Sequence, residues 1–287
     1  MNHRVRPMRS GLLMFAGAAL GLYAICVILL YLFQRQLLYF PAEALPSPAA
    51  SGVPEMTSVW LETDDGLRLN AWFAPAGADK PTIVHFHGNG GNISGRGGRV
   101  RPYLDQDYGV LLAEYRGYGG NPGRPTEPGL YADAMAALRF IEKTGIDYRR
   151  VFIYGESLGT AVSVYAAAEL AQAGTPVAGV ILEAPLSSVS DVAAYHYPLV
   201  PVQPLLKDRF EAISRVEHIS APLLVVHGSA DQVVPLRFGK SLYAAAREPK
   251  HALWIDKAGH ENLPQFGLYE AALQFIGKYA SDGGLIE

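Results

Sequence analysis

Cysteine is nearly absent from this chain: Cys26 is the only one in 287 residues. No intramolecular disulfide can form and no cysteine-based metal site can be built, so cysteine usage does not reveal the redox compartment. Net charge is also small. The 24 Lys and Arg residues against 27 Asp and Glu give −3, which supplies no basic face of the kind nucleic acid selects. Two phosphate-cradling patterns, G-x-x-x-x-G-K-[ST] and G-x-G-x-x-G, are missing, as is the H-E-x-x-H spacing of a metal site. No cofactor, metal ion or nucleic-acid partner is expected. No internal repeat appears.

Charge is missing altogether from one long stretch, "GLLMFAGAALGLYAICVILLYLF", Gly11 to Phe33. As a helix this run is about 35 Å long at about 1.5 Å per residue, enough to cross a hydrocarbon core of about 30 Å. Core helices of that length carry a polar face, and this one has none. A cleaved signal peptide is the rival reading, with "AEA" at Ala42–Ala44 as its cleavage site, although signal apolar regions normally span only about 7–15 residues. Arg4, Arg6 and Arg9 precede the run and only Arg35 follows closely. The positive-inside rule then puts residues 1–10 in the cytoplasm, the span at 11–33, and the bulk of the chain periplasmic or outward-facing.

Residues 34–56 include the Pro/Ala/Ser-rich "AEALPSPAASGVPE" and read as a linker. From 57 to 287 apolar runs alternate with helical patterns. "TSVWLET" and "LRLNAWFAP", separated by "DDG", suggest a hairpin. "TIVHFHG", "VLLAEYRG", "VFIYG", "VAGVILEAP", "APLLVVHG" and "HALWID" read as buried strands. Between them, "PGLYADAMAALRFIEKTG", "LGTAVSVYAAAELAQAG", "PLRFGKSLYAAARE" and "QFGLYEAALQFIGKYA" read as helices. This alternation predicts an α/β, doubly wound, mostly parallel sheet covered on both faces. Ligands of such sheets lie beyond the carboxyl ends of the strands, so the residues that follow each strand are the ones to inspect.

After "VFIY" stands Gly155-Glu156-Ser157-Leu158-Gly159, a G-x-S-x-G placed where a strand becomes a helix. Either Ser157 merely caps the helix, or it is a nucleophile raised on a tight turn at a helix N-terminus that favours developing negative charge. After "APLLVVHG" comes Asp231, either a turn residue or a carboxylate that orients a histidine. After "HALWID" comes His260. The chain order Ser157, Asp231, His260 is the one this architecture uses for a catalytic triad. Glu183, after "GVIL", is the substitute acid. "HGNGGN", from His87, offers backbone N–H groups, that of Asn89 with that of Leu158, to an oxyanion. His87 itself shapes the loop. His85, His196, His218, His227 and His251 are weaker base candidates.

With "QRQLLYFP", "HFHGNGGN", "EYRGYGGNPGRPTEPGLYADAMAAL", "YGESLGTAVS", "HGSADQVVP" and "AGHEN", nearly the whole chain resembles the α/β-hydrolase superfamily. More narrowly it is similar to the membrane-anchored subfamily of the bud-emergence hydrolases and of animal α/β-hydrolase-domain lipid esterases and depalmitoylases. That subfamily is also described as resembling serine aminopeptidases, a likeness of fold and triad that does not establish peptidase chemistry. The resemblance implies an α/β-hydrolase fold with a short cap, here residues 186–220.

The expected reaction is acyl transfer from an ester or thioester to water through an acyl-serine. Tyr195, Tyr197, Leu199, Val200, Val202, Leu205 and Leu206 make the cap apolar: an acyl-binding or membrane-facing wall, or a packed connection with no part in selectivity. Lipid-like or acylated small molecules are the expected substrates. A non-catalytic membrane-tethered binding protein and a serine peptidase are the alternatives.

Overall fold

A strand covered on both faces needs an apolar residue at nearly every position, and Val151–Glu156 is such a strand. Val151 and Ile153 enter one hydrophobic core, Phe152 and Tyr154 the other. The sheet is therefore the middle layer of three. The computed structural model describes residues 7–281. Most of the segment expected to be cytoplasmic, with Arg4 and Arg6, lies outside the described residues.

In chain order the elements are α1 (Pro7–Leu38), β1 (Phe40–Pro41), β2 (Thr57–Glu62), β3 (Arg68–Ala74), β4 (Thr82–Phe86), β5 (Gly90–Gly91), α2 (Gly97–Leu104), β6 (Gly109–Ala113) and α3 (Glu127–Lys143). They continue with β7 (Val151–Glu156), α4 (Leu158–Gln172), β8 (Gly179–Glu183), α5 (Val189–His196), α6 (Val202–Leu205), β9 (Leu223–Gly228), α7 (Leu236–Ala245), β10 (Lys250–Ile255) and α8 (Leu268–Ser281). Eight strands form one sheet in the order β10-β9-β8-β7-β4-β6-β3-β2. The six from β10 to β6 are parallel; β3 pairs antiparallel with β6 and with β2, the expected hairpin. Helices α3, α4 and α7 cover one face through Leu130, Val162 and Leu242. Helices α2 and α8 cover the other through Val100, Tyr103, Leu268 and Phe275.

Local signals set several boundaries. Thr126 caps α3, its hydroxyl accepting the Gly129 N–H at 3.1 Å. Helix α2, "GGRVRPYL", carries two glycines and an internal Pro102, so periodicity gave no reason to expect it. Tertiary packing of Val100, Tyr103 and Leu104 holds it.

The stretch expected as a linker differs most. The α1 helix continues through Gln34–Leu38, beyond the expected end of the span at Phe33. Phe40–Pro41 then pairs in parallel with Gly90–Gly91. Residues 49–51 pass so close to α2 that a Cβ on Gly97 would lie 2.0 Å from the Ser51 carbonyl oxygen. A Pro/Ala/Ser-rich composition reads as linker, but here its backbone polar groups find partners on the domain.

Helix α1 is exposed along nearly all its length and is long and apolar enough to cross a membrane. Its last turns dock on the cap. The Arg35 guanidinium donates to both carboxylate oxygens of Asp208, at 2.7 and 3.0 Å. Asp208 is only 2% exposed and also accepts the Glu127 N–H at the start of α3.

Candidate active site

The strand β7 ends in a turn that only small flanking residues permit. A Cβ on Gly155 would come within 2.5 Å of Ser163 Oγ, and one on Gly159 within 2.1 Å of the Phe86 carbonyl oxygen. Between them Ser157 has φ 51° and ψ −115°, a backbone region that residues bearing a Cβ rarely adopt. Its N–H donates to the Glu183 carbonyl at 2.9 Å, and its own carbonyl accepts the Thr160 N–H and hydroxyl at 2.9 and 2.6 Å. Ser157 makes no side-chain cap bond to α4, so its hydroxyl points into the cavity instead of closing the helix end.

His260 Nε2 lies 2.9 Å from Ser157 Oγ, and His260 Nδ1 lies 2.7 Å from Asp231 Oδ2. Three loops, after β7, β9 and β10, thus meet at the carboxyl edge of the sheet. The β10 loop crosses directly over Gly228, where a Cβ would be 2.2 Å from the Ala258 carbonyl oxygen. Asp231 is 6% exposed. Its Oδ1 accepts the N–H groups of Val233 and Val234 at 2.9 and 2.8 Å, which fixes the carboxylate plane.

Burial works to raise the Asp231 pKa, but hydrogen bonds from His227 and His260, the charge of His260 and the Val234 amide outweigh it and hold the group well below the usual carboxylate range. Burial also works to lower the His260 pKa. The hydrogen bond and charge of Asp231, with smaller contributions from Glu261 and Glu183, outweigh it and leave His260 above the ordinary histidine value of 6.5.

Glu183, the substitute acid, is occupied elsewhere: one oxygen accepts Arg99 Nη1 at 2.8 Å and the other the Tyr154 hydroxyl at 2.6 Å. His227 is a neighbour that strand reading missed. Its Nε2 donates to the Val234 carbonyl at 2.8 Å and lies 3.2 Å from Asp231 Oδ2. The four-residue separation of His227 and Asp231 in "HGSAD" was the available signal.

Asn89 and Leu158 line the same cavity as Ser157. The Asn89 carbonyl accepts the Phe40 N–H at 2.9 Å and the Tyr118 hydroxyl at 2.8 Å, and its side chain donates to the Leu38 carbonyl at 2.7 Å. Among the described residues its N–H has no partner, and the Leu158 N–H, in the first turn of α4, has no intrahelical acceptor. His87 shapes the loop as expected, with Nδ1 at 2.7 Å from the Gly88 carbonyl and Nε2 at 2.7 Å from Glu114 Oε1. Of the weaker base candidates, His196 lines the same cavity as Ser157, but its Nε2 donates to the Val233 carbonyl at 2.9 Å; His85, His218 and His251 do not line it.

The cavity above Ser157 measures about 420 Å³. Besides the site residues it is lined by Val189, Val192, Ala193 and Tyr197 of the cap and, unforeseen from sequence, by Leu37 and Leu38 at the end of α1. A hydroxyl in contact with a histidine, a carboxylate behind that histidine, and two residues with unpaired amides lining the same cavity are a set that can move a proton and offer donors to an oxyanion.

A family profile described as alpha/beta hydrolase fold matches residues 81–211. An uncharacterized protein of Mycobacterium tuberculosis is 41% identical over 233 residues, covering 80% of this chain and 81% of that one. The Arabidopsis thaliana alpha/beta hydrolase domain-containing protein WAV2 is 31% identical over 290 residues, covering 91% of this chain and 93% of that one. Among solved structures, an esterase of Pyrococcus furiosus superposes with a TM-score of 0.67 at 16% identity over 85% of this chain and 98% of its own, a likeness of fold.

Proposed function

This chain belongs to the α/β-hydrolase family, and on that premise we propose that it is a membrane-anchored serine hydrolase. Its substrates are carboxylic esters or thioesters, lipid-like or acylated, and the reaction passes through an acyl-serine. The observation that carries this reading is the continuous contact from Ser157 Oγ to His260 Nε2, 2.9 Å, and from His260 Nδ1 to Asp231 Oδ2, 2.7 Å.

Neutral His260 takes the Ser157 proton as Oγ bonds to the carbonyl carbon. Asp231 keeps the proton of His260 on Nδ1, so that Nε2 is free to accept, and stabilises the imidazolium that forms. The carbonyl oxygen becomes an oxyanion held by the Asn89 and Leu158 N–H groups; one such donor is worth about 100- to 1000-fold in rate. The imidazolium returns its proton to the departing alcohol or thiol. Water, deprotonated by His260, then attacks the acyl-serine and releases the acid.

Retention of α1 as an anchor is supported by its place in the site. Cleavage at 42–44 would remove Leu37 and Leu38 from the cavity wall and the Leu38 carbonyl from Asn89. The arginine bias puts the N-terminus in the cytoplasm and the hydrolase domain on the other side.

The test is fluorophosphonate labelling of full-length protein beside Ser157→Ala. A wild-type adduct on Ser157, with loss of ester turnover in the variant, is expected. Turnover in the variant, with contaminants excluded, sinks the mechanism. No adduct on folded wild-type protein would leave a membrane-tethered binding protein as the reading.

A further inference from the structure

We propose that the anchor helix is itself a wall of the substrate site: the groove between the C-terminal half of α1 and the cap holds the long acyl chain of an ester whose carbonyl lies at Ser157, admitted sideways from the membrane. This deepens the hydrolase reading and rests on it.

The groove is a space of about 130 Å³ between Val27, Leu30 and Tyr31 of α1 and Val202, Leu205 and Leu206 of the cap. It does not stand alone. Leu37, Leu38, Val189, Ala193 and Tyr197 line both this groove and the cavity above Ser157, so the two are adjacent and share these walls. Gln34 also borders the groove, but its polar atoms are occupied. Its Nε2 donates to the carbonyls of Tyr31 and Leu205 at 2.8 and 3.3 Å, and its Oε1 accepts the Lys207 N–H at 2.7 Å. Among the described residues, no charged side chain lines the groove. Apart from the Tyr31 and Tyr197 hydroxyls such walls are apolar and suit a hydrocarbon chain, each buried methylene being worth about fourfold in binding.

Length points the same way. From Leu38, beside Asn89 and Ser157, to Val27 the helix rises about 16 Å, which a long acyl chain fills and a short one does not. Beside the groove stand exposed apolar residues of the cap. Leu199, at the tip of the cap, is 83% exposed, and Tyr195 and Tyr197 beside it are about half exposed. The tip lies against Tyr23, deep in the apolar run, whose hydroxyl donates to the Leu199 carbonyl at 2.6 Å. Val200 N–H donates to the Tyr197 carbonyl and Val202 N–H to the Val200 carbonyl, at 3.0 and 2.8 Å. Irregular backbone is tolerated at membrane depth only where its polar groups find such internal partners. A tip that is apolar outside and partly bonded inside suits lipid, and on this proposal the groove mouth beside it faces the acyl chains of the bilayer.

The first test is independent of turnover. Hexadecanoic acid carrying a diazirine near its ω carbon is photolysed on full-length Ser157→Ala protein in detergent micelles, and adducts are located by mass spectrometry. Adducts within 27–31 and 202–206 that excess unlabelled hexadecanoate suppresses are expected. Labelling of the groove no more competable than that of Leu12–Phe15, on the open face of α1, overturns the proposal. The second test compares kcat/KM for p-nitrophenyl hexadecanoate and butanoate. Val27→Trp blocks the groove and displaces two or more methylenes, lowering the long-to-short ratio about 15-fold or more. Leu29→Trp, on the outer face, leaves that ratio in place. Competable labelling with an unchanged ratio in Val27→Trp identifies a resident lipid instead of a substrate, which overturns the proposal. Competable labelling of the groove with turnover of neither ester by folded wild-type protein defeats the hydrolase reading and leaves the acyl site standing.

Discussion

Two structures border the same cavity and are built in opposite ways. The turn at Ser157 is specified by small residues beside it in sequence, which let it pack against β4 and β8. Gly155 and Gly159 let strand, turn and helix approach within distances no Cβ survives, and Thr160 closes the turn on the Ser157 carbonyl. The junction of α1 with the cap is specified by partners far apart in the chain: Tyr23 with Leu199, Gln34 with Leu205 and Lys207, Arg35 with Asp208. A turn of the first kind survives changes elsewhere in the protein and fails at single atoms within it. A junction of the second kind spreads its stability over several side-chain bonds, most of them partly exposed, and yields more gently.

The sharpest blow to the turn side of this comparison is chemical. Asp231→Asn keeps an oxygen for the Val233 and Val234 amides but removes the charge behind His260. The rate should fall about 10⁴-fold. The pH profile should move as well. His260 must be neutral to accept the Ser157 proton, and Asp231 holds its pKa above 6.5, so the wild-type rate rises with pH through that raised value. Without the charge, burial dominates and the acid limb shifts to lower pH. A pH–rate series on both proteins checks this; an acid limb that does not move would mean another group sets it.

Next in size is Gly159→Ala. Alanine is normally the better helix former by about 1 kcal/mol. Here its Cβ meets the Phe86 carbonyl at 2.1 Å, backbone against backbone, and overpacking should cost about 3 kcal/mol net. A drop in the urea midpoint measures it. A neutral result would show that β4 and α4 can part without loss, contrary to the close approach that Gly159 permits.

The smallest effect belongs to the junction. Arg35→Ala leaves the buried Asp208 carboxylate with the Glu127 N–H but no cation. Removing one partner of a fully buried pair costs 3–5 kcal/mol; Arg35 is 43% exposed, so solvent screening should reduce this to about 1 kcal/mol. Adding Asp208→Asn should recover part of the loss in thermal unfolding. Strict additivity of the two substitutions would show that the pair is not coupled.

Much of the fold was legible because the sheet is covered on both faces. Its central strands must be apolar at nearly every position, so "TIVHF", "VFIYG" and "LLVVHG" stand out from their surroundings. Helix α2 was not legible, because two glycines and Pro102 hide it and only contacts with the sheet stabilise it. Ser157, Asp231 and His260 could be picked from the residues that follow three strands. That His227 stands beside Asp231 was signalled only by their four-residue spacing, and that Glu183 is committed to Arg99 and Tyr154 could not be read, since that choice depends on side chains that meet across separate elements.

Periodicity, glycine placement and the order of motifs were enough by themselves to determine the doubly wound sheet, the serine turn, the order of the triad-like residues and an uncharged helix long enough for a membrane. These are properties of short stretches, where backbone sterics and burial act between residues close in sequence. Tertiary structure alone decided that the segment after the apolar run packs on the domain, that Asn89 is tied by its carbonyl and side chain with its N–H left open, and that Leu37 and Leu38 wall the cavity. Those outcomes rest on hydrogen bonds and packing between segments about 50 to 170 residues apart, and no local pattern records which distant partner a polar or apolar side chain will meet once the chain has folded.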